Sequence, residues 1–182
     1  MSSFTPPTAT TAPLFCTTIS VKTATETEFR TSLTAALGVA RWVDDVASEA
    51  PFASLDDLLA AAGDTGPLSR VEVDEALEHH PRIGEKLEGE VASHAFARRE
   101  QASVDADDAT VNSAIADGNR EYEEHTNRSF LISVASRSRA EILAELHRRL
   151  QLDDAAEQRI ASEQLLEIAR IRLTQMFARE PA

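Results

Sequence analysis

The chain has 182 residues, 31 acidic against 18 basic for a formal net charge of −13, and its apolar share is 42 %. That length buries a core without disulfide or metal staples and fits one domain. An acidic surface repels phosphate backbones, so nucleic acid is disfavoured as a partner unless the fold gathers a basic patch, and none is expected. No apolar run reaches the ~20 residues of a membrane span, and the lone Cys16 excludes an internal disulfide.

Only 6 glycines and 7 prolines punctuate the chain, which is rich in Ala, Glu, Leu and Arg, so an all-α single domain of about eight helices is expected. Residues 1–18 offer Ser, Thr and Pro with little to bury and no basic leader. They read as a flexible arm, neither signal nor transit peptide, ahead of a helical domain over 19–182 in a cytoplasmic protein. Phe29, Leu33 and Leu37 predict a helix from Thr25 that Gly38 stops. A second runs from Arg41 to Ala50 with Trp42, Val43 and Val46 on one face, and Pro51 ends it. Ser54 opens a third over Leu55–Ala62, closed by Gly63, and Ser69 with Glu72 makes the capping box of a fourth that reaches His79.

Pro81 pushes His80 out of the helical region, Ile83 to His94 reads as loop, and helix resumes near Ala95. Asp108 to Glu124 is helical. The run Phe130 to Ala135 has strand character but no partner, so it is expected as an extended or helical core segment. Ser138 and Glu141 cap the next helix, with Ile142, Leu143, Leu146 and Leu150. Asp154 and Glu157 open a long last one to about Ala178, with Ile160, Leu165, Ile168, Ile171 and Phe177 as core positions.

Three groups of residues carry chemical potential. An imidazole at a helix C-terminus has its cation stabilised, so His80, presented by Pro81, suits a general acid near neutral pH. A carboxylate such as Glu100 would raise its pKa if the fold brings the two together. Arg172 stands at the edge of the last apolar stripe, where it either snorkels or grips a ligand carboxylate, whereas Arg170 points elsewhere. A metal site from His79, His80 and His94 lacks ligand spacing, and no phosphate loop or nucleophile elbow occurs.

Taken together, HHPRIGE at 79–85, RREQA at 98–102, the stretch 117–150 around SFLISVASRS, EQLLEIARIRL at 163–173 and, more weakly, 41–62 resemble the 2-oxo-4-hydroxy-4-carboxy-5-ureidoimidazoline (OHCU) decarboxylases of urate degradation. The specific feature is His-Pro with Glu-Gln twenty residues after the His. The resemblance covers about residues 24–178. It implies an all-helical homodimer that uses no cofactor and no metal and converts a small ureidoimidazoline, OHCU, to (S)-allantoin and CO2. By position, His80 is implied as the catalytic acid, Glu100 as its partner and Arg172 as a substrate-attending arginine. Pro81, Ala97, Gln101 and the main chain of Ile132, Ser133, Val134, Ala135 and Ser136 are implied to line the pocket. Ala97 stands where relatives usually have a substrate-contacting serine, and Ser103 and Ser136 replace common glycines. The competing reading is a catalytically silent ureide-binding or scaffolding module of the same fold. Association with a urate oxidase or 5-hydroxyisourate hydrolase is left open.

Overall fold

The computed structural model describes residues 25–78, 109–134 and 137–178. The expected arm, the helix end at His79, the loop 83–94 and the helix near Ala95 lie outside those residues. Within them are seven helices and no strand: α1 (Glu26–Leu37), α2 (Ala40–Ser48), α3 (Leu55–Asp64), α4 (Arg70–Glu78), α5 (Ala109–Thr126), α6 (Arg139–Arg149) and α7 (Asp154–Phe177).

Side-chain caps set where most of these helices begin. Thr25 with Glu28 and Ser138 with Glu141 form complete capping boxes, and Ser54 accepts from the Asp57 amide. At α4 the Glu72 carboxylate accepts from the Ser69 amide at 2.7 Å, the box expected from sequence. The last helix differs from expectation: Asp153 is its cap, accepting from the Ala156 amide at 2.8 Å, and Glu157 is buried for another purpose. Gly38 ends α1 in the left-handed region, as expected. Gly63 does not end α3, which continues to Asp64. The left-handed residue after it is Gly66, at φ +76°, and the turn is made there.

Two apolar clusters form the interior. The larger unites α1 to α4 with α7 around Leu33, Trp42, Leu58, Val73, Leu165 and Leu173. Phe29 sits at its edge between Phe52 and Phe177, with ring centroids 5.9 and 6.1 Å away. The buried Trp42 indole donates to the Ala62 carbonyl at 3.1 Å, so its polar atom is not stranded. The smaller cluster joins α5 and α6 through Ile115, Tyr122, Ile142 and Leu146. These helices lie close because of Gly118: a Cβ there would stand 2.6 Å from Leu146 Cδ2. Ile160 and Ile171, expected in the core, are only half-buried.

Glu72 has a second task. Its carboxylate pairs with Arg41, which chiefly drives its pKa down to about 2, with help from the Ser69 hydrogen bonds against the opposing effect of burial. A carboxyl whose folded pKa lies below its ordinary 4.5 stabilises the fold above that value and ceases to as pH falls toward 2. Because Arg41 is part-exposed, Glu72→Gln is expected to cost only about 1 kcal/mol at pH 7. The cost should shrink as denaturant midpoints are followed from pH 5 to pH 2. A pH-independent difference would assign the effect to lost packing.

Candidate active site

Residues 130–134 run without helix or strand pairing between the two cores. Their side chains alternate: Phe130, Ile132 and Val134 enter the smaller cluster and Leu131 enters the larger. Period two is the mark of extended backbone, one of the two forms anticipated for FLISVA. All five residues are buried, so their main-chain polar groups must find partners away from water.

Side chains of neighbouring elements supply them along one edge. Arg149 donates from Nη1 to the Leu131 carbonyl at 2.6 Å. Gln164 Oε1, from α7, accepts from the Ser133 amide at 2.9 Å. Arg137 Nη1 donates to the Ser133 carbonyl at 3.1 Å and to Gln164 Oε1 at 3.2 Å. In extended chain the N–H and C=O of one residue face the same edge and those of its neighbours face the other. The Ile132 and Val134 amides therefore face away from Gln164. Among the described residues neither amide has a hydrogen-bond acceptor.

Arg149 is itself held in a buried charged cluster. Its guanidinium pairs with Glu157, donating from Nε to both carboxylate oxygens at 3.0 Å, and the Tyr122 hydroxyl donates to the same carboxylate. The guanidinium carbon lies 4.8 Å from the Phe130 ring centroid and 5.7 Å from that of Tyr122. Burial would lower the Arg149 pKa, but the Glu157 hydrogen bond and the surrounding negative charge outweigh it, and the group is more firmly protonated than usual. Burial, first of all, pushes the Tyr122 phenol well above its ordinary range, so it stays a donor. None of Arg149, Glu157, Tyr122 and Gln164 stood out as a candidate in the sequence. The available signal was periodic: Arg149 continues the apolar spacing of Ile142 and Leu146, and Glu157 that of Ala161, Leu165 and Ile168.

Arg172 departs from the expected edge position, being only 1 % exposed in the centre of the α7 stripe. Ala169 and Leu173 extend that stripe past it, and α1 packs over it. Its Nη1 donates to the Ala36 carbonyl at 3.3 Å, in the last turn of α1, where helix carbonyls lack intrahelical donors. Arg170 is exposed, as expected.

An open cleft of about 410 Å³ lies where α4 and α5 end, with Asp74, Glu78, Asn127 and Arg128 on its walls. Arg128 is fixed there by Asp74 at 2.6 Å and by Gln158 of α7 at 2.6 Å. The chain reaches His80 two residues after Glu78. Neither Arg172 nor the run 132–134 lines this cleft. Of the sequence candidates, His79, His80, Pro81, His94, Ala97, Glu100, Gln101, Ser103, Ala135 and Ser136 lie outside the described residues. Among the described residues no group of three His, Cys, Asp or Glu is placed to hold a metal ion. No helix among them is long and apolar enough to cross a membrane.

The helical fold, the extended run between two cores and the buried arginine of the last helix accompany a family-model match to OHCU decarboxylase over residues 22–174. The chain belongs to the OHCU decarboxylase family. It is 31 % identical over 143 residues to a 2-oxo-4-hydroxy-4-carboxy-5-ureidoimidazoline decarboxylase of Haloferax volcanii, covering 76 % of this chain and 83 % of that one. The fold matches a crystal structure of OHCU decarboxylase in the presence of (S)-allantoin with TM-score 0.66 at 20 % identity, over 80 % of this chain and 96 % of that chain. It also matches (S)-allantoin synthase with TM-score 0.58 at 20 % identity, over 87 % of this chain and 54 % of that one. Family membership makes this protein a decarboxylase, a carbon–carbon lyase of urate degradation.

Proposed function

We propose that the protein converts OHCU to (S)-allantoin and CO2 without a cofactor. The observation that supports this most is the family match across 22–174, which spans every residue of the expected site. The chemistry fits the residue types. The departing carboxylate is attached to a carbon beside a C=N bond, and that bond accepts the electron pair left when CO2 leaves. An external electron sink is not needed. The enzyme's work is orientation, exclusion of water, and delivery of one proton to one face.

In this reading His80 gives the proton and Glu100 keeps its ring oriented and charged. Pro81, Ala97 and Gln101 line the pocket, and the main chain of Ile132, Ser133, Val134, Ala135 and Ser136 offers donors and acceptors to the ring and ureido carbonyls. Arg172 addresses an anionic group of the substrate from α7. The protein works as a cytoplasmic homodimer, and light scattering at micromolar protein that returned the 19.8 kDa protomer mass would reject the dimer.

The deciding experiment supplies freshly generated OHCU and follows circular dichroism. Spontaneous decay yields racemic allantoin, so a growing signal above the blank reports stereospecific turnover. Binding of (S)-allantoin with no signal above the blank would favour the silent binding module. For Arg172, Arg172→Ala should lose activity that Arg172→Lys does not restore, since lysine lacks the planar fork. Arg170→Ala, on the exposed face, should be nearly neutral. Equal losses at 170 and 172 would mean that helix charge matters and the specific contact does not.

A further inference from the structure

The run 130–134 has a bonded edge and an unbonded edge, and the residue that separates them most directly is on α7. Gln164 Oε1 is a common acceptor for the Ser133 amide at 2.9 Å and for Arg137 Nη1 at 3.2 Å, and Arg137 closes the ring on the Ser133 carbonyl at 3.1 Å. Two side chains, themselves hydrogen-bonded to each other, thus clamp one peptide residue through both its donor and its acceptor. The clamp fixes rotation about the run, because turning Ser133 away from α7 would break both of its bonds together. Ile132 and Val134, on either side, consequently present their amides to the opposite edge, where the described residues provide no acceptor. Both residues are more than nine-tenths buried. Two buried N–H groups aimed in one direction and left without acceptors among the described residues are a fixed pair of donors for two oxygens of one ligand.

We infer that Gln164 and Arg137 are positioning residues, whose clamp on Ser133 aims the Ile132 and Val134 amides at two separate acceptor oxygens of the ureidoimidazoline, about 6.5 Å apart as the rise of extended chain sets. The inference rests on the decarboxylase reading for the identity of the ligand, and on the hydrogen-bond pattern for the role. The acceptor oxygen of Gln164, not its volume or its amide nitrogen, carries the effect. Gln164→Glu keeps an oxygen for both the Ser133 amide and Arg137, whereas Gln164→Leu keeps the approximate volume and removes the acceptor.

The test compares wild type, Gln164→Leu, Gln164→Glu and Arg137→Met in steady-state turnover of OHCU and in calorimetric binding of (S)-allantoin. Gln164→Leu is expected to lower kcat/KM roughly 10-fold, mostly through KM, and to weaken (S)-allantoin by a similar factor, the worth of misaligned hydrogen bonds. Gln164→Glu should stay within about threefold of wild type in both. Arg137 is half-buried outside the helices, so Arg137→Met should fold and still raise KM. It decides the matter if Gln164→Leu is insoluble. Leu and Glu variants equally impaired, or kcat/KM within twofold of wild type for folded Gln164→Leu or Arg137→Met, would overturn the inference. Wild type that binds (S)-allantoin without turning over OHCU ends the decarboxylase reading and leaves the clamp to be judged on binding. Wild type that does neither ends both.

Discussion

His80→Asn is expected to keep the fold and lose roughly 10²–10⁴-fold in rate, the usual worth of one positioned acid. The grounds are the family match, the His-Pro pair just beyond α4 and a reaction that needs a proton delivered to one face. His79→Asn should be far milder, because adjacent residues of a chain direct their side chains differently. Glu100→Gln removes the negative partner and lowers the His80 pKa. A general acid works while protonated, so rate falls as pH rises through its pKa. In Glu100→Gln that fall should move to lower pH. Rate–pH profiles of the three variants check this, with allantoin chirality read in parallel. If His80→Asn still makes (S)-allantoin near the wild-type rate, the proton comes from another group.

The largest stability effect is expected at the buried Arg149–Glu157 pair. Arg149 is 1 % exposed and Glu157 5 %, and Tyr122, Phe130 and the Leu131 carbonyl complete their surroundings. Removing one partner leaves a buried charge without compensation, so Glu157→Leu or Arg149→Met should each cost about 3–5 kcal/mol. For a chain of this size that lowers Tm by roughly 10 °C or more. The double variant should recover part of the loss, since an apolar pair of similar volume avoids the desolvation of both charges. Tyr122→Phe removes one hydroxyl and should cost about 1–2 kcal/mol. Denaturant melts of wild type, Glu157→Leu, Arg149→Met and the double variant give the coupling energy directly. Strictly additive single losses would show that the two side chains stabilise the fold independently.

The buried polar scaffold links α6 and α7 to the candidate site. Arg149 spans from Glu157 to the Leu131 carbonyl, while Gln164, two turns along α7, takes the Ser133 amide. Gln158 and Ser162 of the same helix serve the main chain of Leu68, at 3.2 and 2.8 Å. Polar residues of one long helix thus take main-chain groups of two buried non-helical runs, Ser133 in one and Leu68 in the other.

Sequence by itself determined the local structure. Caps at Ser54, Ser69 and Ser138, the stop at Gly38 and the stripes through Leu33, Trp42 and Leu165 need only neighbours within a turn or two, so they are legible without a fold. The motifs around His80 and Glu100 were legible as well, because a rare dipeptide at fixed separation identifies a family. Periodicity read alone failed where a charge replaces an apolar residue. Arg149, Glu157 and Arg172 occupy stripe positions, and one-dimensional reasoning places charged side chains at the edge or in water. Only the tertiary structure decided that Arg149 and Glu157 meet, that Arg172 caps α1 from beneath, and that α3 runs through Gly63 to turn at Gly66. The physical reason is common to the charged residues. A charge can be buried only when a partner arrives from another element, and the partner's arrival is set by packing between helices and by no feature within one of them.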